Sequence, residues 1–290
     1  MSTAAEDLSS PLPAVLVGSD EHKELFCRVF IETHDPYDPA RVAWPDLDEL
    51  TVKRLRAMPF WNEAVSTEHD VARKVQALVP HEPDPRLREA IALNGFEEGR
   101  HSALLDHMLR HYEIPRPATR EEHLSDDPLW DFMRVGYGEC FDSFFSFGLY
   151  KLAGDSGLFP RPLLDAVAPI VQEEARHILF FANWVAYCRA RERAAGKIRH
   201  MARCALAMTA QVWGRAKTAI AAARGGSGDA GEENDFMMGV KDSLDVVSSP
   251  RQLIAVCLRE NDRRLAPYDP RLLRPTFVPT LARTLARVVP

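Results

Sequence analysis

Two short stretches constrain this chain more than any other feature: Phe-Glu-Glu-Gly-Arg-His at 96–101 and Gln-Glu-Glu-Ala-Arg-His at 172–177. Each sets a Glu three residues before a His, as Glu98/His101 and Glu174/His177. On a helix such residues are neighbours, so each pair can present one carboxylate oxygen and one imidazole nitrogen to the same point. A single pair proves little. Two copies with the same flanking Glu and Arg are a much stronger signal, and they raise the question of what the rest of the chain brings to them.

Apolar periodicity answers with helices throughout and no convincing strand, which makes the chain all-α. Residues 1–18 read as a loose arm. Ser19 or Asp20 caps a helix to about Thr33, and the His-Asp-Pro-Tyr-Asp-Pro turn (34–39) ends it. A second helix is expected over Asp46–Ala57, stopped by Pro59. Four longer helices follow at about 60–79, 85–112, 129–153 and 162–190, the last interrupted by Pro169. A Pro-rich crossing over Ile114–Pro128 separates the two pairs, and Gly154–Gly157 breaks the second pair. Residues 19–223 are expected to form a helical bundle with flanking helices, the last over His200–Ala223. A flexible linker (224–235) then leads to a helical extension (236–290) with a break near Pro250 and an amphipathic turn or two at Leu281–Val288.

Two further glutamates complete a pattern. On the helix at 60–79, Glu68 falls within the apolar stripe of Trp61, Ala64, Val65, Val71, Ala72, Val75 and Leu78. Glu63 falls instead with Thr67, Asp70 and Lys74, on the face read as wet, and is the alternative to Glu68. Glu139 sits mid-way along the helix at 129–153, which is apolar nearly all round; Asp142, one turn on, is its alternative. Gly136 and Gly138 beside it leave room for ligands or a second helix. Glu68 lies 30 residues before Glu98, and Glu139 lies 35 before Glu174. The chain thus repeats one lone Glu followed by one Glu-x-x-His.

A bare buried carboxylate is costly, so four of them in one core must be paired, protonated or bound to metal. Glu68, Glu98, His101, Glu139, Glu174 and His177 are the candidate metal ligands, with Glu98 and Glu174 bridging two ions. Oxygen-rich sites with one His per metal suit iron or manganese better than zinc. Glu97 and Glu173 are candidates to hold the far nitrogen of each His, with Arg100 and Arg176 holding them in turn. The competing reading of Glu97 and Arg100 is a routine surface ion pair.

Composition narrows the rest. A net charge of −6 gives no nucleic-acid footprint. The five cysteines (Cys27, Cys140, Cys188, Cys204, Cys257) are scattered, which suggests reduced thiols and excludes a zinc ribbon. With no signal-like start and no apolar run of about 18 residues, the expectation is a cytoplasmic protein without a membrane partner. Weaker candidates remain. His107 and His111 are spaced i, i+4 but read as solvated or structural, and Tyr137 and Tyr150 share the Glu139 helix.

These residues resemble the ferritin-like superfamily of dinuclear iron proteins, over about residues 60–190. The Glu-Glu-x-Arg-His repeats are similar to those of acyl carrier protein desaturases and, with Asp for the first Glu, of bacterial multicomponent monooxygenase hydroxylases. The resemblance implies a four-helix bundle holding two iron ions, with manganese or a mixed Mn/Fe pair as variants, bound by Glu68, Glu98, His101, Glu139, Glu174 and His177. It also implies an O2-activating oxidoreductase of oxygenase, hydroxylase or desaturase type, acting on a small organic or carrier-bound substrate in an apolar pocket. Phe145, Phe181 and Trp184 are candidates to line that pocket, though core packing is the stronger reading of each. The expected partners are the substrate, an external electron donor of ferredoxin or flavin reductase type, and a second copy of the chain. Two rivals stand beside this reading: a metal-handling ferroxidase or store, and a non-catalytic helical interaction protein.

Overall fold

The computed structural model describes residues 14–58, 61–115, 122–223 and 249–288, and every regular element among them is helical. Nine α-helices are present among the described residues: α1 (Asp20–Glu32), α2 (Glu49–Ala57), α3 (Trp61–Leu78), α4 (Pro85–His111), α5 (Pro128–Ser156), α6 (Arg161–Arg191), α7 (Ala194–Ala223), α8 (Pro250–Leu265) and α9 (Phe277–Leu285). Most of the proposed arm, the linker at 224–235 and residues 236–248 of the extension lie outside the described residues.

The starts of these helices follow local chemistry. Ser19, Asp48, Asp84, Asp127 and Ser249 each accept a hydrogen bond from a first-turn backbone N–H, satisfying donors that the helix cannot. Pro follows the cap directly in α4, α5 and α8, where its missing N–H costs nothing. Gly157 ends α5 in the left-handed region (φ 65°), which a residue with a Cβ adopts at a cost. α6 continues unbroken through Pro169.

The long helices pack as a closed set: α3 against α4 and α5, and α6 against α5 and α4. α1 lies across α4 and α6, while α7, α8 and α9 cover α5. That arrangement explains why α5 is apolar all round, for it has a neighbour on every side. Phe144 and Phe147 at its centre are almost fully buried, and trimming either to Ala is expected to cost about 3–5 kcal/mol.

One expectation about a face needs correction. Asp70 and Lys74, read as wet, are buried. Glu122, in the segment leading into α5, covers them: its carboxylate pairs with Lys74, and its backbone N–H donates to Asp70 Oδ2 at 3.1 Å. Periodicity marks a polar face but not whether another segment neutralises it. Thr67 on that face lines a cavity instead, and the side chain of Glu63 lies outside the described residues. Of the two readings of Gly136, room for a second helix holds, because a Cβ there would collide with the Phe181 ring of α6. Gly138 likewise faces Gln211 of α7.

Candidate metal centre

α4 and α6 bring the two Glu-x-x-His pairs together. Glu98, His101, Glu174 and His177 are all buried, and each offers a ligand-type atom within 4.8 Å of those of the others. The imidazole centroids are 5.4 Å apart. His101 Nδ1 lies 3.3 Å from Glu174, 3.4 Å from Glu68 and 3.6 Å from Glu98. His177 Nδ1 lies 2.7 Å from Glu98 Oε1 and 4.0 Å from Glu174. The lone glutamates arrive from α3 and α5. Glu68 closes on His101, and Glu139 lies close enough to Glu174 and Glu98 for their charges to act on it.

The opposite nitrogen of each imidazole is held across the helix pair rather than along its own helix. His101 Nε2 meets Glu173 at 2.8 Å, and His177 Nε2 meets Glu97 at 2.9 Å. Arg100 pairs with Glu173, and Arg176 donates to Glu97 at 2.8 Å. Glu97 and Arg100 are 3.9 Å apart and both buried, so the surface-pair reading does not apply. Sequence alone could not show this crossing, because each acid and its partner lie more than 70 residues apart. Further contacts tie the layer to the rest of the fold. Arg100 donates to Asp35 O and stacks 3.9 Å over Tyr37, and Arg176 donates to Thr33 Oγ1 and Phe30 O.

Two more groups could have been found from spacing. Asn94, one turn before Glu98, donates to it at 3.4 Å, and Ser143, one turn after Glu139, donates to Glu174 at 3.0 Å. His34 could not, since it sits in the turn after α1. Its Nδ1 nonetheless meets Glu97 at 2.5 Å.

Electrostatics split the cluster. Burial alone would raise Glu97, but His177 and Arg176 outweigh it and hold the carboxyl down to about 2. Burial also opposes ionisation of Glu98 and Glu174, yet the two imidazoles keep both below the usual carboxylate range. Burial pushes Glu68 up to about 8 despite His101, and burial with Glu174 and Glu98 drives Glu139 well above its ordinary value. The surrounding carboxylates overcome burial at the imidazoles, raising His177 to about 10 and His101 well above 6.5.

Of the buried side-chain atoms without a hydrogen-bond partner among the described residues, three belong to this cluster: Glu98 Oε2, His101 Nδ1 and His177 Nδ1. The 2.7 Å approach of His177 Nδ1 to Glu98 is close but not aligned as a hydrogen bond. A buried polar atom without a partner is unfavourable, and these three point into one space. A cation there would accept all three lone pairs, so the side chains present fit a metal ion.

Beyond the carboxylates lies a cavity of about 250 Å³. Glu68, Glu139 and Glu174 line one end, and Met108, Leu149, Phe159, Leu164 and Ile170 are among the apolar side chains of the remainder. Leu55 and Met58 at the end of α2 also reach it. Tyr150 lines the cavity, with its hydroxyl donating to Leu164 O at 3.0 Å, whereas Tyr137 meets the Phe181 ring edge to face and does not. Phe145, Phe181 and Trp184 are not among the lining residues. Phe181 and Trp184 belong to the core around Phe132, as the stronger reading of them expected. Asp142 lines the cavity but pairs with Arg215 at 2.6 Å, which leaves Glu139 as the α5 carboxylate nearer the cluster. His107 is structural: its Nδ1 lies 2.8 Å from Pro39 O and 3.2 Å from Trp44 Nε1.

Among the described residues no helix is long and apolar enough to cross a membrane, and all five cysteines are free. Against known protein families, curated proteins and solved structures, the chain finds no match.

Proposed function

We propose that this chain is a ferritin-like dinuclear metal carboxylate protein that uses O2 to oxidise an apolar substrate. One observation carries the reading: Glu98, His101, Glu174 and His177 meet in a buried cluster with three of its atoms unpartnered, and Glu68, Glu139 and Glu174 line a largely apolar cavity beside it. Glu68, Glu98, His101, Glu139, Glu174 and His177 would hold the metals. Two divalent cations would balance four carboxylates in charge, and an oxygen-rich donor set favours iron or manganese. An iron pair supplies redox chemistry with O2 that amino-acid side chains cannot perform.

The remaining residues have definable tasks. Glu97 and Glu173, each held by an arginine, keep both imidazoles turned with Nδ1 towards the metals. Ser143 holds one oxygen of Glu174. The aliphatic and aromatic walls exclude water and retain a substrate by burial alone. The cavity favours substrate oxidation over iron storage, since storage has no use for an apolar chamber beside the metals. Electrons come from a separate donor.

Iron(II)-loaded protein, made anaerobic and then exposed to ¹⁸O2 with cell extracts, tests the reading by mass spectrometry. The expected result is one ¹⁸O atom in a product, or a product short of two hydrogens. Oxygen uptake that matches iron oxidation alone, with no altered organic product, would favour the ferroxidase.

A further inference from the structure

α7 is built the wrong way round for a helix that only covers a core. The side that packs on α5 and α6 carries Cys204, Ala207, Met208 and Gln211, of which only Met208 is a large apolar side chain. The side turned to solvent carries Ile198, Met201, Leu206, Val212 and Trp213, exposed by 70, 56, 62, 37 and 60%. These recur at helical spacing along about 23 Å of one ridge, at 1.5 Å per residue. An exposed apolar ridge of this length is a contact surface rather than chance exposure.

Charge says what it contacts. Between Ala194 and Ala223 there is no Asp or Glu, in a chain whose net charge is −6. Lys197, Arg199 and Lys217 are exposed beside the ridge, and Lys217 lies 5.6 Å over the Trp213 ring. Apolar side chains with an interfacial Trp, flanked by cations, are the pattern of a helix lying in the headgroup region of a bilayer. A second copy of α7 is a poor match, because it would bring cations against cations. A convex ridge also suits a deformable lipid surface better than a partner lacking a matching groove.

We infer that the outward face of α7 docks the protein on an anionic lipid surface, as a peripheral and not a spanning contact. This departs from the sequence expectation of no membrane partner, which rested on spanning segments and signals. α7 also reaches the cavity rim, since its Arg215 holds the cavity-lining Asp142. Supply of an apolar substrate from the bilayer rests on the proposed function; the docking itself does not.

The test is co-sedimentation of the full chain with vesicles of phosphatidylcholine alone and of an equal mixture with phosphatidylglycerol. Binding to the anionic vesicles is expected to be roughly tenfold stronger or more, and to weaken as salt rises. The double variant Ile198→Asp/Leu206→Asp should lose that binding while keeping its circular dichroism and metal content. Trp213→Phe should lose the fluorescence blue shift that vesicles induce. No binding to anionic vesicles, or unaltered binding by the double variant, overturns the inference. It is equally overturned by a dimer that the double variant abolishes, which assigns the face to a second copy. Binding that appears only after residues 224–248 are removed assigns it to that segment.

Discussion

The two sides of the histidine pair are built on opposite principles. On the outer side, Glu97 and Glu173 are each matched by an arginine and an imidazole, and all of these charges are closed off from solvent. On the cavity side, Glu68, Glu98, Glu139 and Glu174 face two imidazoles and no other cation among the described residues. The outer layer is balanced in charge, each acid facing one arginine and one imidazole. The inner layer has four acids for two imidazoles: burial lifts Glu68 to about 8 despite His101, whereas His177 and Arg176 overcome burial at Glu97 and hold it at about 2. A protein that only needed a buried polar network would balance both. On the proposed reading, the difference separates residues that fix geometry from residues that would hold a metal ion.

The largest effect should come from unbalancing the outer layer. Arg176→Met leaves Glu97 buried with one cation fewer, and urea unfolding of the metal-free protein should show a loss of about 3–5 kcal/mol. A loss under about 1 kcal/mol would mean that the outer layer is not the closed unit described. The pH response comes next. His177 and Glu68 bind protons more tightly in the folded chain, so their contribution to the metal-free protein is present at low pH and lost as pH rises. Melting temperature should therefore fall by several degrees as pH rises from about 4.5 to about 10, Glu68 acting over 4.5 to 8 and His177 over 6.5 to 10. Bound metal replaces those protons and should flatten the curve. A metal-free protein whose stability rises over that range contradicts the unbalanced inner layer.

Smaller changes sharpen the same contrast. Glu68→Gln removes an uncompensated carboxylate and should leave the metal-free protein as stable or about 1 kcal/mol more so above pH 8, while weakening metal binding. Its sign is opposite to that of Arg176→Met, and matching signs would erase the distinction. His34→Gln removes one of the groups on Glu97 while Arg176 and His177 remain, so it should cost only about 0.5–1.5 kcal/mol.

How much of this was legible beforehand depended on distance along the chain. Helix starts at Ser19 and Asp84 follow from short-range hydrogen bonds and could be read directly, whereas the second helix begins at the Asp48 cap and not at the expected Asp46. Glu98/His101 and Glu174/His177 were readable because one helical turn sets each pair. Glu68 and Glu139 needed only periodicity and the repeat. The crossed pairing of Glu97 with His177 was hidden, because it depends on how α4 meets α6. His34 left no signal, since a turn residue has no periodic face. Lys74 misled for the complementary reason: its partner Glu122 approaches from a segment 48 residues later. The apolar ridge of α7 carries the same pattern as a core-facing helix, and only the fold shows that it turns outward.

The central claim is that the inner layer holds two metal ions. Protein produced in iron-supplemented medium and assayed by plasma emission should contain about two iron or manganese ions per chain, and Glu98→Ala should contain almost none. Fewer than one iron per chain, with manganese also absent, would contradict the account, as would full occupancy in Glu98→Ala.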